Sequence, residues 1–298
     1  MPLSRKGRAA ALSVASNTTL VLLKLVVGFY SGSVSILSEA IHSANDLIAA
    51  VIAFISVRIA DRPPDAHHAY GHGKAESISG ALEASLILIA AVWIIVEAVR
   101  KLLQGAQVEH AGAGTAVMAV SVLVNMMVSR HLFKVARAED SMAISADAHH
   151  LATDVYTSLG VGVGLGLVWV TGWHVVDPIA AIVVALLITR IGWQLVRDAG
   201  HHLMDQSLPT DELAQIERLL RSDSRVLSWH RLRTRKSGSN RYIDVHVVLN
   251  NQQSLLEAHQ AAAEIEEGIT HLFARTHAVV HADPESVVHT DSPKGLRQ

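Results

Sequence analysis

Long apolar runs broken by short polar breaks fill the first two thirds of this chain, and then the pattern stops. A helix that crosses the hydrocarbon core of a bilayer needs about 20 predominantly apolar residues. Six stretches reach that length: 10–30, 34–59, 78–101, 112–132, 142–170 and 175–196. The breaks are short except for 60–77, where Pro63 and Pro64 end the second helix, since proline has no amide hydrogen to donate. Arg5, Lys6 and Arg8 precede the first run, as they would in a secretory leader. That run is long enough to span, however, and no small-residue cleavage site follows a short apolar core, so it is expected to be a retained span.

From Asp198 onward the period changes. A helix capped by Thr210 is expected over 210–220, then strands over 226–234 and 242–249, separated by the turn-forming Lys236-Ser237-Gly238-Ser239-Asn240. In the second strand Ile243, Val245, Val247 and Leu249 alternate with Asp244, His246 and Val248, the signature of one buried face. A helix over 253–272 and a strand over 278–282 complete the order α-β-β-α-β, a small sheet with helices on one face. The expected division is therefore a six-helix membrane domain over 1–206, a small α+β domain over 207–284 and a disordered tail over 285–298.

Charge gives the orientation. With the N-terminus inside, the segments on that side carry Arg5, Lys6, Arg8, Arg58, Arg62, Lys74, Arg130, Lys134 and Arg137, and the other side only Arg100 and Lys101. Positive residues gather on the cytoplasmic side of short loops, which puts both termini in the cytoplasm of a cell whose inner (plasma) membrane holds the chain. Composition agrees: 50% of the 298 residues are hydrophobic and 17% charged, where a soluble domain carries about a quarter charged. The net charge of -2 gives no argument for a nucleic-acid partner. With no cysteine, any metal must rest on imidazole or carboxylate, which draws attention to the 18 histidines.

Two of the expected spans carry ionisable residues in the same pattern. The second contains His42-Ser43-Ala44-Asn45-Asp46 and the fifth His150-Leu151-Ala152-Thr153-Asp154. At about 3.6 residues per turn, a histidine four residues before an aspartate shares its helix face. Two such helices facing each other would offer two nitrogens and two oxygens, a tetrahedral set suited to Zn²⁺. An isolated charge at mid-bilayer costs about 3 kcal/mol on insertion scales, a cost that a shared metal offsets. Imidazole disfavours Mg²⁺ and Ca²⁺, which take oxygen shells, and leaves Cd²⁺, Co²⁺, Ni²⁺ and Fe²⁺ as competitors. The imidazole nitrogens that bind metal also bind protons near neutral pH, so the two cations compete and metal is expected to leave outward as protons enter. An intramembrane hydrolase would need an open coordination position, and the chain has no H-E-x-x-H motif, so an enzyme is not expected. A channel would use weaker rings of oxygen ligands.

Six spans, the paired H-x-x-x-D motifs and the α-β-β-α-β domain together resemble the cation diffusion facilitators. The likeness is closest to their bacterial zinc and iron efflux branch, through Tyr70-Gly71-His72-Gly73-Lys74-Ala75-Glu76 and Leu232-Arg233-Thr234-Arg235-Lys236-Ser237-Gly238. The resemblance implies a homodimer that exports divalent metal by alternating access on the proton gradient, with a ferredoxin-like (metallochaperone-like) cytoplasmic domain. Its transport site would map onto His42, Asp46, His150 and Asp154. Members of this branch often carry aspartate where His42 stands, whereas the His-Asp-His-Asp set is similar to that of zinc-selective eukaryotic transporters. In the loop after the second span, Asp65, His68 and His72 are spaced to clamp a further ion, with His67 an alternative to His68, and the family has a site there. The resemblance also implies a two-metal site near the dimer interface from His230, His246, His259, His281 and Asp283, of which His281 and Asp283 share one strand face. It further implies an ion pair between Lys74 and Asp205 at the dimer's hinge. Arg190, inside the sixth span, is expected to extend toward the cytoplasmic membrane interface, and Glu83 to face the bundle interior without a role read for it.

Overall fold

In the computed structural model, which describes residues 3–32, 34–104, 114–173 and 175–286, the chain divides into two units after Gly200. The first holds six long helices: α1 (Arg5–Ser31), α2 (Val34–Ala60), α3 (Lys74–Gln104), α4 (Gly114–Glu139), α5 (Met142–Thr171) and α6 (Val176–Leu203), the last reaching just into the second unit. Each expected span is present, and most run on past the apolar stretch into polar residues. The reason is capping. Ser4 Oγ accepts from Gly7 N at the start of α1, one turn earlier than hydropathy suggests, and Gly32 (φ 64°) closes its other end. Ser141 caps α5 in the same way, accepting from Ile144 N.

Five of the six, all but α5, pass as membrane spans on length and apolarity among the described residues. The first half of α5 is instead rich in ionisable groups (Asp147, His149, His150 and Asp154), and its second half is the apolar, glycine-rich run that ends at Thr171. Burial in this unit is inverted relative to a soluble protein. Trp93, Leu123, Val183 and Trp193 are exposed, whereas Ser13, Asn17, Ser43, Ser79, Glu83 and Asp147 are buried. That is the arrangement expected where the solvent is lipid and polar groups must find partners inside. Near the chain's N-terminal end of the bundle, Ala9 and Ala10 pack with Val57, Leu132, Ile144 and Leu151. Ala84, Ile87 and Ala91 of α3 pack with Ile188 and Leu195 of α6. Helices α5 and α6 approach so closely that a Cβ on Gly160 would meet Val184 Cγ2 at 2.5 Å.

The second unit is the expected α+β domain: α7 (Thr210–Ser222), β1 (Ser228–Ser237), β2 (Asn240–Leu249), α8 (Leu255–Leu272) and β3 (Thr276–Pro284). The sheet order is β1-β2-β3, with β1 antiparallel and β3 parallel to β2. Ile243, Val245, Val247 and Leu249 form the buried face and pack against Ile216 and Leu220 of α7 and Ala261, Ile265 and Ile269 of α8. Two local expectations are corrected. Thr210 does not cap α7; Pro209 occupies the cap without a side-chain hydrogen bond, and Thr210 is the first helical residue. The hairpin turn is also tighter than 236–240, since Ser237 pairs with Asn240 and leaves only Gly238 (φ 58°) and Ser239 at the tip. The tail expected after Pro284 lies, beyond Ser286, outside the described residues.

Candidate metal centres

The two H-x-x-x-D pairs meet. His150 Nε2 lies 3.3 Å from Asp46 Oδ1, and His42 Nε2 lies 4.0 Å from Asp154 Oδ1. One donor atom each from His42, Asp46 and Asp154 falls within a 4.8 Å group. Zinc bonds of about 2.0 Å in a tetrahedron put neighbouring donors about 3.3 Å apart, so the first contact fits and the second needs a small closure. Asp46 is buried, whereas the His42 side chain is 57% exposed and is the outermost of the four. Asp154 Oδ2 and His150 Nδ1 are buried and make no hydrogen bond among the described residues. The neighbouring His149 is separated from this site by its packing, edge-on against Phe133 of α4 with ring centroids 4.7 Å apart.

In the loop between α2 and α3, Asp65 sits between two imidazoles. Its Oδ1 is 3.2 Å from His68 Nδ1 and its Oδ2 is 3.2 Å from His72 Nε2, and the two rings lie 4.5 Å apart. The His68 backbone N–H, chiefly, holds the Asp65 carboxyl below the usual carboxylate range, helped by the His67 N–H and the His68 ring. The structure thus groups Asp65, His68 and His72. His67 joins only through its backbone.

On the sheet, register does what spacing does on the helices. His230 pairs directly with His246, and His246 with His281. All three rings turn to Asp283: His246 Nδ1 is 2.9 Å and His230 Nε2 3.2 Å from Oδ2, and His281 Nε2 is 3.2 Å from Oδ1. A register shift between His230 and Arg233, with Arg231 at φ 50°, interrupts the β1–β2 ladder beside His230 before it resumes at Arg233. His259 is not in this group. It is exposed on α8, whose buried residues pack on the other face of the sheet.

Sequence reasoning missed two buried polar groups. Lys6, counted above as a loop charge, is buried, and its Nζ donates to Glu76 Oε1 at 2.5 Å and lies 3.1 Å from Asp61 Oδ1. Ser141 donates to the other Glu76 oxygen, and Ser4 to Asp61 at 2.6 Å, so α1, α3, the end of α2 and the cap of α5 are knotted together. The second is Lys24, whose Nζ reaches Glu39 at 3.3 Å and donates to Oγ of Ser43, the residue after His42 on α2, at 2.7 Å. In a hydropathy profile these lysines look like interruptions. The only available signal was that each has a carboxylate on a neighbouring helix at a similar depth.

Comparison with known proteins adds the following. The family model for the cation efflux transmembrane domain matches residues 10–204, and that for the cation efflux protein cytoplasmic domain matches 208–285. An uncharacterised transporter from Synechocystis sp. is 35% identical over 95% of this chain and 93% of its own length. The cation-efflux pump FieF of Salmonella schwarzengrund is 31% identical over 97% of this chain and 96% of its own. FieF from Klebsiella pneumoniae is 31% identical over 95% and 94%.

Proposed function

Starting from a chain that belongs to the cation diffusion facilitator family and is a multi-pass cation efflux transporter, we propose that it exports Zn²⁺ from the cytoplasm in exchange for protons. Cd²⁺, Fe²⁺, Co²⁺ and Ni²⁺ are the competing cargoes. One observation carries this reading: α2 and α5, more than 100 residues apart in sequence, pair His150 with buried Asp46 and the more exposed His42 with Asp154, in a bundle whose outer surface is apolar. Two imidazoles and two carboxylates match the donor preference of zinc and neutralise its charge where water is scarce. The same atoms can take protons once the metal leaves, so exchange needs no second site. Alternating access then amounts to α2 and α5 shifting together while the quartet opens to one side or the other.

The loop group and the sheet cluster are read as resident metal sites. Asp283 presents both oxygens to three imidazoles, a donor set with which a zinc ion is compatible. The second unit matches the cytoplasmic domain of this family, and we read it as the dimerisation element of a homodimer with both termini in the cytoplasm. Exposed His259 would be free to meet a partner subunit there.

The deciding experiment is Zn²⁺ uptake into proteoliposomes under an imposed pH gradient, with Asp154→Ala as the comparison. Gradient-driven uptake, accompanied by proton counterflow and lost in the variant, supports the reading. Equal uptake by a correctly inserted variant would make the quartet structural.

A further inference from the structure

Glu83 and Asp147 take no part in the quartet, yet both are carboxyls inside a membrane bundle. Their relative exposures are 0% and 1%. Glu83 Oε1 accepts from Ser79 Oγ at 3.1 Å, while Glu83 Oε2 and Asp147 Oδ2 make no hydrogen bond among the described residues. Ser13 of α1, also fully buried, turns its hydroxyl toward Asp147. Asp147 precedes His150 by three residues, and Glu83 projects from α3, which packs against α5. The two carboxyls lie close enough to act on each other's charge, and both act on the His150 imidazole.

The other buried charged side chains of the bundle are Lys6, Lys24, Asp46 and Glu76 among the described residues. Each is engaged elsewhere: Lys6 with Glu76 and Asp61, Lys24 with Ser43 and Glu39, and Asp46 with His150. Among the described residues no lysine or arginine is left to face Glu83 and Asp147, and the imidazole they act on, His150, is itself engaged by Asp46. Two desolvated carboxylates within reach of each other's charge, with no lysine or arginine to face them, are costly to keep both ionised; a proton held on one of them is the least costly arrangement. Zinc arriving at His150 supplies the missing positive charge and removes the need for that proton.

We propose that Glu83 and Asp147 form a proton-holding station beside the quartet, which gives up a carboxyl O–H proton to water when metal binds and regains one when metal leaves. The station rests on the antiport reading above and adds to it a second place where the exchanged proton resides. Asp147 lies about one helical turn nearer than His150 to the end of the bundle that bears the α1 N-terminus, the end read as cytoplasmic. A proton released there leaves on the side from which metal enters.

The test is zinc-induced infrared difference spectroscopy, together with proton release, on the purified full-length protein and on Glu83→Gln/Asp147→Asn. In the intact protein, zinc binding should remove a protonated-carboxyl C=O band. The amide variant should lack that band, release at least one proton fewer per zinc, and depend less on the pH gradient for flux while still carrying zinc down its own gradient. Glu83→Gln alone gives the same reading should the double variant not fold. The same band and the same proton release in intact and variant protein would overturn the station while leaving antiport standing. Zinc flux through the intact protein with no proton counterflow would overturn both.

Discussion

The bundle quartet and the sheet cluster use the same donors, imidazole and carboxylate, but hold them by different means. In the bundle each helix contributes a pair at four-residue spacing, and the two pairs meet only because α2 and α5 pack side by side. Packed helices can shift by 1–2 Å at low cost, and such a shift would open or close the 4.0 Å contact between His42 and Asp154. On the sheet, β2 is hydrogen-bonded on both sides, so His230, His246 and His281 are fixed in one row by ladder geometry. A site on sliding elements suits a cargo that must leave, and one on a doubly paired strand suits an ion that stays.

The largest effect expected from this contrast is on flux. Asp46→Ala should lower zinc transport by roughly a hundredfold or more, since even losing a group that only orients a ligand costs about 10–100-fold in affinity. Asp283→Ala should leave transport at saturating zinc within a few-fold of the intact protein. Proteoliposome uptake measures both, and similar losses in the two variants would erase the distinction.

Next in size is the polar knot that positions the sliding helices. Glu76→Gln leaves Lys6 buried with Asp61 as its remaining carboxylate, and breaking a buried pair typically costs about 3–5 kcal/mol. Thermal unfolding of the purified protein should fall accordingly, and Lys6→Met/Glu76→Met should recover much of the loss. If Glu76→Gln melts with the intact protein, the knot is not what fixes α1, α3 and α5 at that end.

A smaller change is expected from Asp283→Asn, which keeps the shape of the side chain but removes the charge that three imidazoles share. Zinc bound per full-length chain should drop by at least one equivalent, and the subunits should separate at a lower dilution factor. Unchanged metal content would show that the row of histidines is only a surface feature.

Much of this was legible in the sequence, for reasons that differ between the two regions. Helical spans announce themselves by length and apolarity, and H-x-x-x-D fixes a shared face without any knowledge of neighbours. The sheet's buried residues could likewise be read from strict alternation in 243–249. What could not be read is whatever depends on which element lies beside which. Lys6 resembles any loop lysine until Glu76 and Asp61 are placed around it. His259 has a metal ligand's chemistry, but α8 covers the face opposite the cluster. Thr210 is a good cap by type, yet the cap falls one residue earlier, on Pro209, and Thr210 is the first helical residue, because cap choice follows local backbone that composition does not specify.

The smallest predicted effect tests whether the sheet cluster is as independent of its helices as the ladder implies. Ser254 begins α8 with a full capping box: its Oγ accepts from Glu257 N at 3.3 Å, and its own N–H and O–H donate to Glu257 Oε2 at 2.7 and 2.8 Å. The Ser254 backbone N–H, first, and then its hydroxyl hold the Glu257 carboxyl below the usual range. A carboxyl lowered on folding stabilises the helix start above its unfolded pKa, and that support fades as pH falls through the folded value. Ser254→Ala should therefore speed amide exchange in the first turn of α8 roughly fivefold at neutral pH, the size a lost N-cap carries. The gap between variant and intact protein should narrow in acid as Glu257 takes up its proton. Zinc binding at Asp283 should not change, because α8 packs on Val245 and Val247 while His246 points from the other face. A Ser254→Ala protein with altered zinc binding would mean the two faces of the sheet are coupled, and the contrast between a sliding and a fixed site would have to be given up.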